Sequence, residues 1–198
     1  MLQRSDTHIY KSDIPVYLDV VKTFRAWSVQ YDGKTPWLYS YVKLCRWPYQ
    51  KELVAECDRP EKHPSPEVSC DCGIYGSKYY DPRYYDSSVF GIVKLWGRII
   101  EHEYGYRSQY AYPESFIVWC YKCSSKENLK AIFYQGDSFL TILCFDCWNK
   151  RLEEINCILI QEKDVKVLSQ FEIQEIISKL HSLYNVPEFV YTKESIKL

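Results

Sequence analysis

Apolar residues recur at helical spacing most clearly over residues 169–184, SQFEIQEIISKLHSLY. Phe171, Ile173, Ile176, Ile177, Leu180 and Leu183 or Tyr184 form one stripe there, as an amphipathic helix requires. Ser169, with Glu172 three residues on, makes a capping box, and Asn185 and Pro187 stop the helix. A period of two governs residues 89–112 instead. Val89, Gly91, Val93, Leu95, Gly97 and Ile99 make one parity, and Phe90, Ile92, Lys94, Trp96, Arg98, Ile100 and His102 make the other. This predicts a β-hairpin with the first parity in the core, a turn over residues 103–106, and a return strand ending at Pro113.

Elsewhere the pattern is weaker. Residues 14–30 fit a strand or a short helix. Asp32-Gly33 signals a hairpin into a strand over residues 37–47, ended by Pro48. Residues 58–69 hold three prolines and no period and read as loop. Residues 73–88 read as a tyrosine-rich turn region or a short helix. Residues 116–147 alternate as strand, Gln135-Gly136-Asp137 turn, and strand, and a short helix follows over residues 148–156. The expected fold class is α+β: a mostly antiparallel β core over residues 1–115, then a zinc-ribbon hairpin and C-terminal helix over residues 116–198.

Cysteine spacing adds chemistry to this outline. Cys120-x-x-Cys123 and Cys144-x-x-Cys147 are matched pairs with twenty residues between them. Two-residue spacing brings both thiolates of a pair to one metal ion, so four together suit a closed tetrahedral zinc shell. Cys57, His63, Cys70 and Cys72 form a second, less regular set. It reads as a second structural zinc, as a solvated loop with incidental thiols, or as a three-ligand site open to water. Two structural Zn²⁺ ions are the expected cofactors. Cys45 and Cys157 remain, both in apolar surroundings, and read as buried thiols.

Composition narrows the function classes. The net charge of the 198 residues is −1, so no overall basic field points to nucleic acid. Only residues 120–151 lean basic, with five cationic against three acidic side chains. The polar start of the chain lacks the apolar core of a secretory leader, and no apolar run is long enough to span a membrane. The expectation is therefore a cytoplasmic protein with reduced thiols and no membrane partner. Phosphate-binding loops, nucleophile elbows, zinc-protease helices and dinucleotide fingerprints are missing, which weighs against an enzyme. Tyrosine is abundant at 19 residues and glycine scarce at 7, five of the glycines falling between residues 73 and 105. That cluster predicts tight turns or bulges there.

Trp96, Arg98, His102 and Arg107 are the candidate ligand face, an aromatic platform beside cationic groups that would suit a base or nucleotide. The plainer reading of His102 with Glu101, Glu103, Arg98 and Arg107 is a solvated hairpin end with surface ion pairs. His8 and His181 read as a tail residue and a helix-face residue.

Several of these residues also carry a resemblance. Trp47-Pro48, Ala55-Glu-Cys57, His63-Pro-Ser-Pro66 and Cys70-Asp-Cys72-Gly73-Ile74-Tyr75 are followed by Gly91-Ile-Val-Lys-Leu-Trp96-Gly97-Arg98, His102, Gly105-Tyr-Arg107-Ser and Ala111-Tyr-Pro113. Over residues 27–115 this resembles an uncharacterised group of bacterial and phage proteins that share a C-x5-H-x6-C-x-C-G-[IL]-Y loop before a G-x-V-x-L-W-G…H-x-x-G-Y-R hairpin. Gly76 stands where the pattern has alanine. The resemblance implies that Cys57, His63, Cys70 and Cys72 belong together, and it implies no activity. The expected function is a zinc-stabilised, non-enzymatic binding or adaptor protein for a protein, nucleotide or nucleic-acid partner. The alternative is a zinc enzyme working at an incompletely ligated Cys57/His63/Cys70/Cys72 site.

Overall fold

A computed structural model describes residues 19–40, 45–80, 87–134, 138–155 and 165–190. His8, Cys157, the Gln135-Gly136-Asp137 turn, residues 14–18 of the first apolar segment and residues 81–86 of the tyrosine-rich stretch lie outside them. The rest is a strand-rich, antiparallel structure with two described helices.

The first apolar segment is a strand, β1 (Val21–Tyr31), and it belongs to two sheets. The residues after the Asp32 turn do not make one strand. They fold back as β2 (Pro36–Ser40) and β3 (Cys45–Arg46), paired Tyr39↔Arg46 and Ser40↔Cys45. Next come β4 (Leu53–Val54), the loop expected over residues 58–69, and β5 (Ile74–Ser77). Part of the tyrosine-rich stretch is thus a strand. The predicted hairpin is β6 (Val89–Glu101) with β7 (Gly105–Val118). After it come β8 (Leu129–Tyr134), β9 (Phe139–Cys144), α1 (Phe145–Ile155), β10 (Val165–Leu168) and α2 (Gln170–Tyr184).

Along its first half β1 pairs with β6, from Val21↔Leu95 to Trp27↔Val89. On its other edge Phe24 bridges Ser77 of β5. Since β5 also pairs with β7, and β7 with β6, strands β1, β6, β7 and β5 close into a ring. One residue pair, Phe24↔Ser77, makes the seam. Beyond Trp27, β1 leaves the ring for a second sheet, where it pairs with β2 on one edge and with β9 on the other (Val29↔Leu140, Gln30↔Phe139). β8 and β10 extend that sheet.

Two irregularities shape the long hairpin. β7 does not stop at Pro113. Ile92 pairs with Ser115 but Val93 with Pro113, so Glu114 is an extra residue, and the proline, which has no N–H to give, sits at the bulge. The second bulge puts Gly97 and Arg98 opposite Gln109, with Gly97 at φ +77°, a left-handed conformation that glycine adopts without strain.

One apolar cluster runs through both sheets. Trp27, Val29, Leu38 and Trp47 pack with Leu129, Ile132, Leu140, Leu143, Leu180 and Tyr184. The boundary expected after residue 115 falls inside β7, and side chains from both sides of it share this core. A smaller aromatic cluster joins Phe24, Phe90, Ile117, Trp119 and Phe189, with Phe90 and Trp119 stacked at 5.2 Å. In α2 the buried stripe is Ile173, Ile176, Leu180 and Tyr184. Phe171 does not join it and is 71% exposed. The α2 cap is as expected, with Ser169 and Glu172 bonded reciprocally and Asn185 left-handed at the other end.

Tyr184 ties the helix to the sheet. Its buried hydroxyl accepts from the Leu38 N–H and donates to the Trp47 carbonyl, at 3.0 and 2.8 Å. Tyr184→Phe should therefore lower stability by about 1–3 kcal/mol, the cost of leaving buried backbone groups unpaired; denaturant unfolding checks this. The cap predicts a pH effect. Glu172 is lowered from 4.5 to about 2, first by the Ser169 backbone N–H, then by the Ser169 hydroxyl and Lys166. A depressed carboxyl stabilises the fold above its unfolded pKa and loses that contribution as pH falls through the folded one. The protection of the first-turn amides of α2, measured relative to exchange in the unstructured chain, should fall between pH 4.5 and 2, and Glu172→Gln should flatten that dependence.

Candidate metal centres

Among the described residues, two groups bring four potential metal donors together: Cys57, His63, Cys70 and Cys72, and Cys120, Cys123, Cys144 and Cys147. Within each group the donor atoms all lie within 4.8 Å of one another. Cys57 Sγ is 3.2 Å from His63 Nε2 and 3.8 Å from Cys70 Sγ, and Cys123 Sγ is 3.5 Å from Cys144 Sγ. A disulfide needs about 2.05 Å. Around a tetrahedral ion with metal–sulfur bonds of ~2.3 Å, thiolates stand roughly 3.7 Å apart.

The first group sits on the aperiodic loop between β4 and β5. Cys57 follows Ala55, whose N–H bonds the Gln109 carbonyl of β7. Cys70 and Cys72 are two residues apart just before β5, at a bend where the Cys72 N–H reaches the Cys70 sulfur. All three thiols are buried, while the carboxylate of Asp71 between the last two is exposed. His63 Nδ1 lies 3.2 Å from the Pro64 carbonyl. A carbonyl only accepts, so Nδ1 carries the proton and Nε2 offers its lone pair to the thiols.

The second group is embedded in the fold. Cys120 follows β7, and a tight turn closes with the Ser124 N–H on the Cys120 carbonyl. Cys144 ends β9, and Cys147 lies in the first turn of α1. The second pair thus straddles a strand–helix junction, and α1 begins three residues before its expected start. Cys120 and Cys144 belong to the main core, whereas Cys123 is exposed.

A local feature recurs. The backbone N–H two residues ahead reaches the sulfur of Cys57 (from Arg59), Cys70 (from Cys72), Cys120 (from Lys122) and Cys123 (from Ser125). Amide dipoles aimed at sulfur favour the thiolate. Burial pushes the Cys70 thiol up, but the Cys72 N–H and the side chains of His63, Cys72 and Cys57 outweigh it and bring it down to about 7. Cys147 is driven far up, first by burial and then by its bonds to Cys123, Cys144 and Cys120. Neighbouring thiols cannot all ionise without a cation among them.

The expected ligand face turns largely toward the first group. The Gly97–Arg98 bulge interrupts the β6–β7 ladder between Trp96 and His102, while Ile99 stays in the core with Val89, Val93 and Leu95. Trp96 is partly exposed and stacks on Tyr110 at 6.0 Å. Arg98 donates to the carbonyls of Pro64 and Pro66, at 3.1 and 3.4 Å. Arg107 is 4% exposed and donates to the carbonyls of Cys70 and Cys72 and to His102 Nε2. Burial first, then the charges of Arg107 and Lys78, lowers the pKa of His102, which fits an imidazole that accepts this bond. Nothing in the sequence pattern showed these arginines holding the loop; the contact spans more than thirty residues. His181 stacks on Phe116 at 4.3 Å. Cys45 is partly buried and outside any disulfide.

Fold and clusters define a strand-rich antiparallel protein with two Cys/His groups able to hold metal ions. No family model, curated protein or solved structure matches the chain. No described helix is long and apolar enough to cross a membrane.

Gly73 tests how the loop closes on the hairpin. It adopts φ +123°, and a Cβ there would meet the Cβ atoms of Arg107 and Pro66 at 3.0 Å. Gly73→Ala should cost about 1–3 kcal/mol in backbone strain. The loss should appear in denaturant unfolding, with faster metal release to a chelator.

Proposed function

We propose that the protein is a binding or adaptor module held in shape by two structural zinc ions, one in each cluster, rather than an enzyme. The observation that carries this reading is the completeness of both donor sets. Cys₃His and Cys₄ shells suit zinc, and a full shell leaves no coordination position for a reacting water. A zinc enzyme at Cys57, His63, Cys70 and Cys72 would need one of these four to stand away, and all four converge. The paired knuckles of the second cluster, carried by the ends of β7 and β9, support a zinc-ribbon reading of residues 116–147. The aromatic part of the β6–β7 face, Trp96 against Tyr110, is the surface we assign to a nucleotide, nucleic-acid or protein partner in the cytoplasm. Arg98, His102 and Arg107 support that face from the loop side.

Elemental analysis and native mass spectrometry of the purified chain test the metal reading. Two zinc ions per chain are expected, falling to one in His63→Ala and to one in Cys144→Ser. One zinc or none in the wild type, or iron in the Cys₄ site, overturns it. The face is tested by the fluorescence anisotropy of labelled mononucleotides and a labelled single-stranded oligonucleotide titrated with the protein. Binding that Trp96→Ala abolishes, with unfolding unchanged, is the expected outcome for a nucleotide or nucleic-acid partner. Binding that survives Trp96→Ala removes this face from the proposal.

A further inference from the structure

Among the described residues, Arg107 is the one arginine, lysine, aspartate or glutamate that is buried. Its bonds go to neutral groups: two carbonyls, which belong to the metal-site residues Cys70 and Cys72, and the imidazole of His102. Its guanidinium also lies 5.9 Å from the centre of the Tyr75 ring. A buried cation held only by dipoles is costly unless an opposite charge stands close. Three thiolates and one neutral imidazole around Zn²⁺ carry a net charge of −1, and that charge would lie just beyond the carbonyls Arg107 grips. With neutral thiols and no metal, the compensation is missing.

The same residues start β5, the strand that closes the ring. Gly73 follows Cys72 directly, Ile74–Ser77 pair with β7, and Arg107 itself stands opposite Tyr75 in that ladder. The ring is shut against β1 by the single Phe24↔Ser77 pair, helped by a bond from the Arg25 guanidinium to the Tyr75 carbonyl.

We propose that Arg107 is the positioning residue of the Cys57/His63/Cys70/Cys72 site, and that through it metal occupancy is joined to closure of the barrel by β5. This rests on the metal reading of that cluster. One guanidinium nitrogen, Nη1, donates to both the Cys70 and Cys72 carbonyls while Nε is held by His102, so the arginine draws the two carbonyls together and with them sets the aim of both thiolates. Lysine keeps the charge and three donors, but on one nitrogen at the end of a flexible stem, so it lacks the rigid separation between the donor that holds the carbonyls and the one that holds the imidazole. The second cluster lies across the fold on β7, β9 and α1 and does not depend on Arg107.

Cobalt(II) separates the two sites, because Cys₃His and Cys₄ shells absorb differently in the visible. The experiment loads wild type and Arg107→Lys with cobalt or zinc, measures the affinity of each site by chelator competition, and follows amide exchange at residues 74–77. Arg107→Lys should weaken the Cys₃His site by about tenfold to a hundredfold, the usual effect of losing an outer-shell partner. The Cys₄ site should stay unchanged, and exchange at 74–77 should quicken. His102→Ala removes one acceptor while keeping the arginine, so it should weaken the same site by less. Equal weakening of both sites, or no change at either, overturns the proposal, since a merely structural arginine gives one of those results. A wild type that shows only the Cys₄ spectrum overturns instead the metal reading on which it rests.

Discussion

The double membership of β1 is the constraint around which the fold is arranged. Its first half is a stave of the small ring with β6, β7 and β5, and its last residues pair on both edges in the second sheet. A strand whose two halves are paired into different sheets cannot slip in register without disturbing both of them. The burial pattern agrees: Phe24, Trp27 and Val29 are almost fully buried, and they divide between the two apolar clusters. Everything downstream is placed relative to this strand. β9, which ends at Cys144 of the second cluster, is held to it at Val29 and Gln30 on one edge and paired with β8 on the other.

The two donor groups answer different needs of that frame. Residues 119–128 and 55–73 are the long described stretches with no regular strand or helix. Neither has the apolar period that would let it pack by burial alone. In the first, a tight turn and two core thiols, Cys120 and Cys144, tie a strand end to a helix start, so that group continues the hydrophobic core. In the second, the three thiols form an isolated cluster of their own, and the loop is joined to the hairpin by polar contacts from Arg98 and Arg107. A domain of this size buries enough surface to fold without metal. Metal would act here on the segments the core does not reach.

Local signals were readable in the sequence and long-range ones were not. The α2 cap, the stripe of Ile173, Ile176 and Leu180, the β6–β7 hairpin and the Cys120/Cys123/Cys144/Cys147 set follow from spacing, because each is written within a few dozen residues, whereas the irregular spacing of Cys57, His63, Cys70 and Cys72 left other readings open. Phe171 fits the stripe by count, yet it lies in the first turn, where the helix has already turned it off the sheet. β4 and β10 were missed because two and four residues are too few to show a period. Pro113 suggested a strand end, since a proline usually breaks a ladder; the bulge at Glu114 absorbs it.

The candidate ligand face shows most clearly where sequence reasoning stops. Alternation assumes an unbroken ladder, and Gly97 breaks it. Its left-handed φ sits where two residues of β6 face the one residue Gln109 of β7, so pairing across the hairpin shifts there even though Ile99 stays in the core with Leu95. The scarcity of glycine had marked the stretch from residue 73 to 105 as the place for such a device without saying which glycine would supply it. What the bulge achieves is visible only in three dimensions. It turns Arg98 toward the carbonyls of Pro64 and Pro66, and Pro64 is the carbonyl that fixes the His63 tautomer. A basic, aromatic hairpin and a cysteine-rich loop look like two separate features in the sequence. In the folded chain the arginines of one hold backbone carbonyls of the other, so the cations suggestive of an external anion are already engaged by the loop that carries the donors.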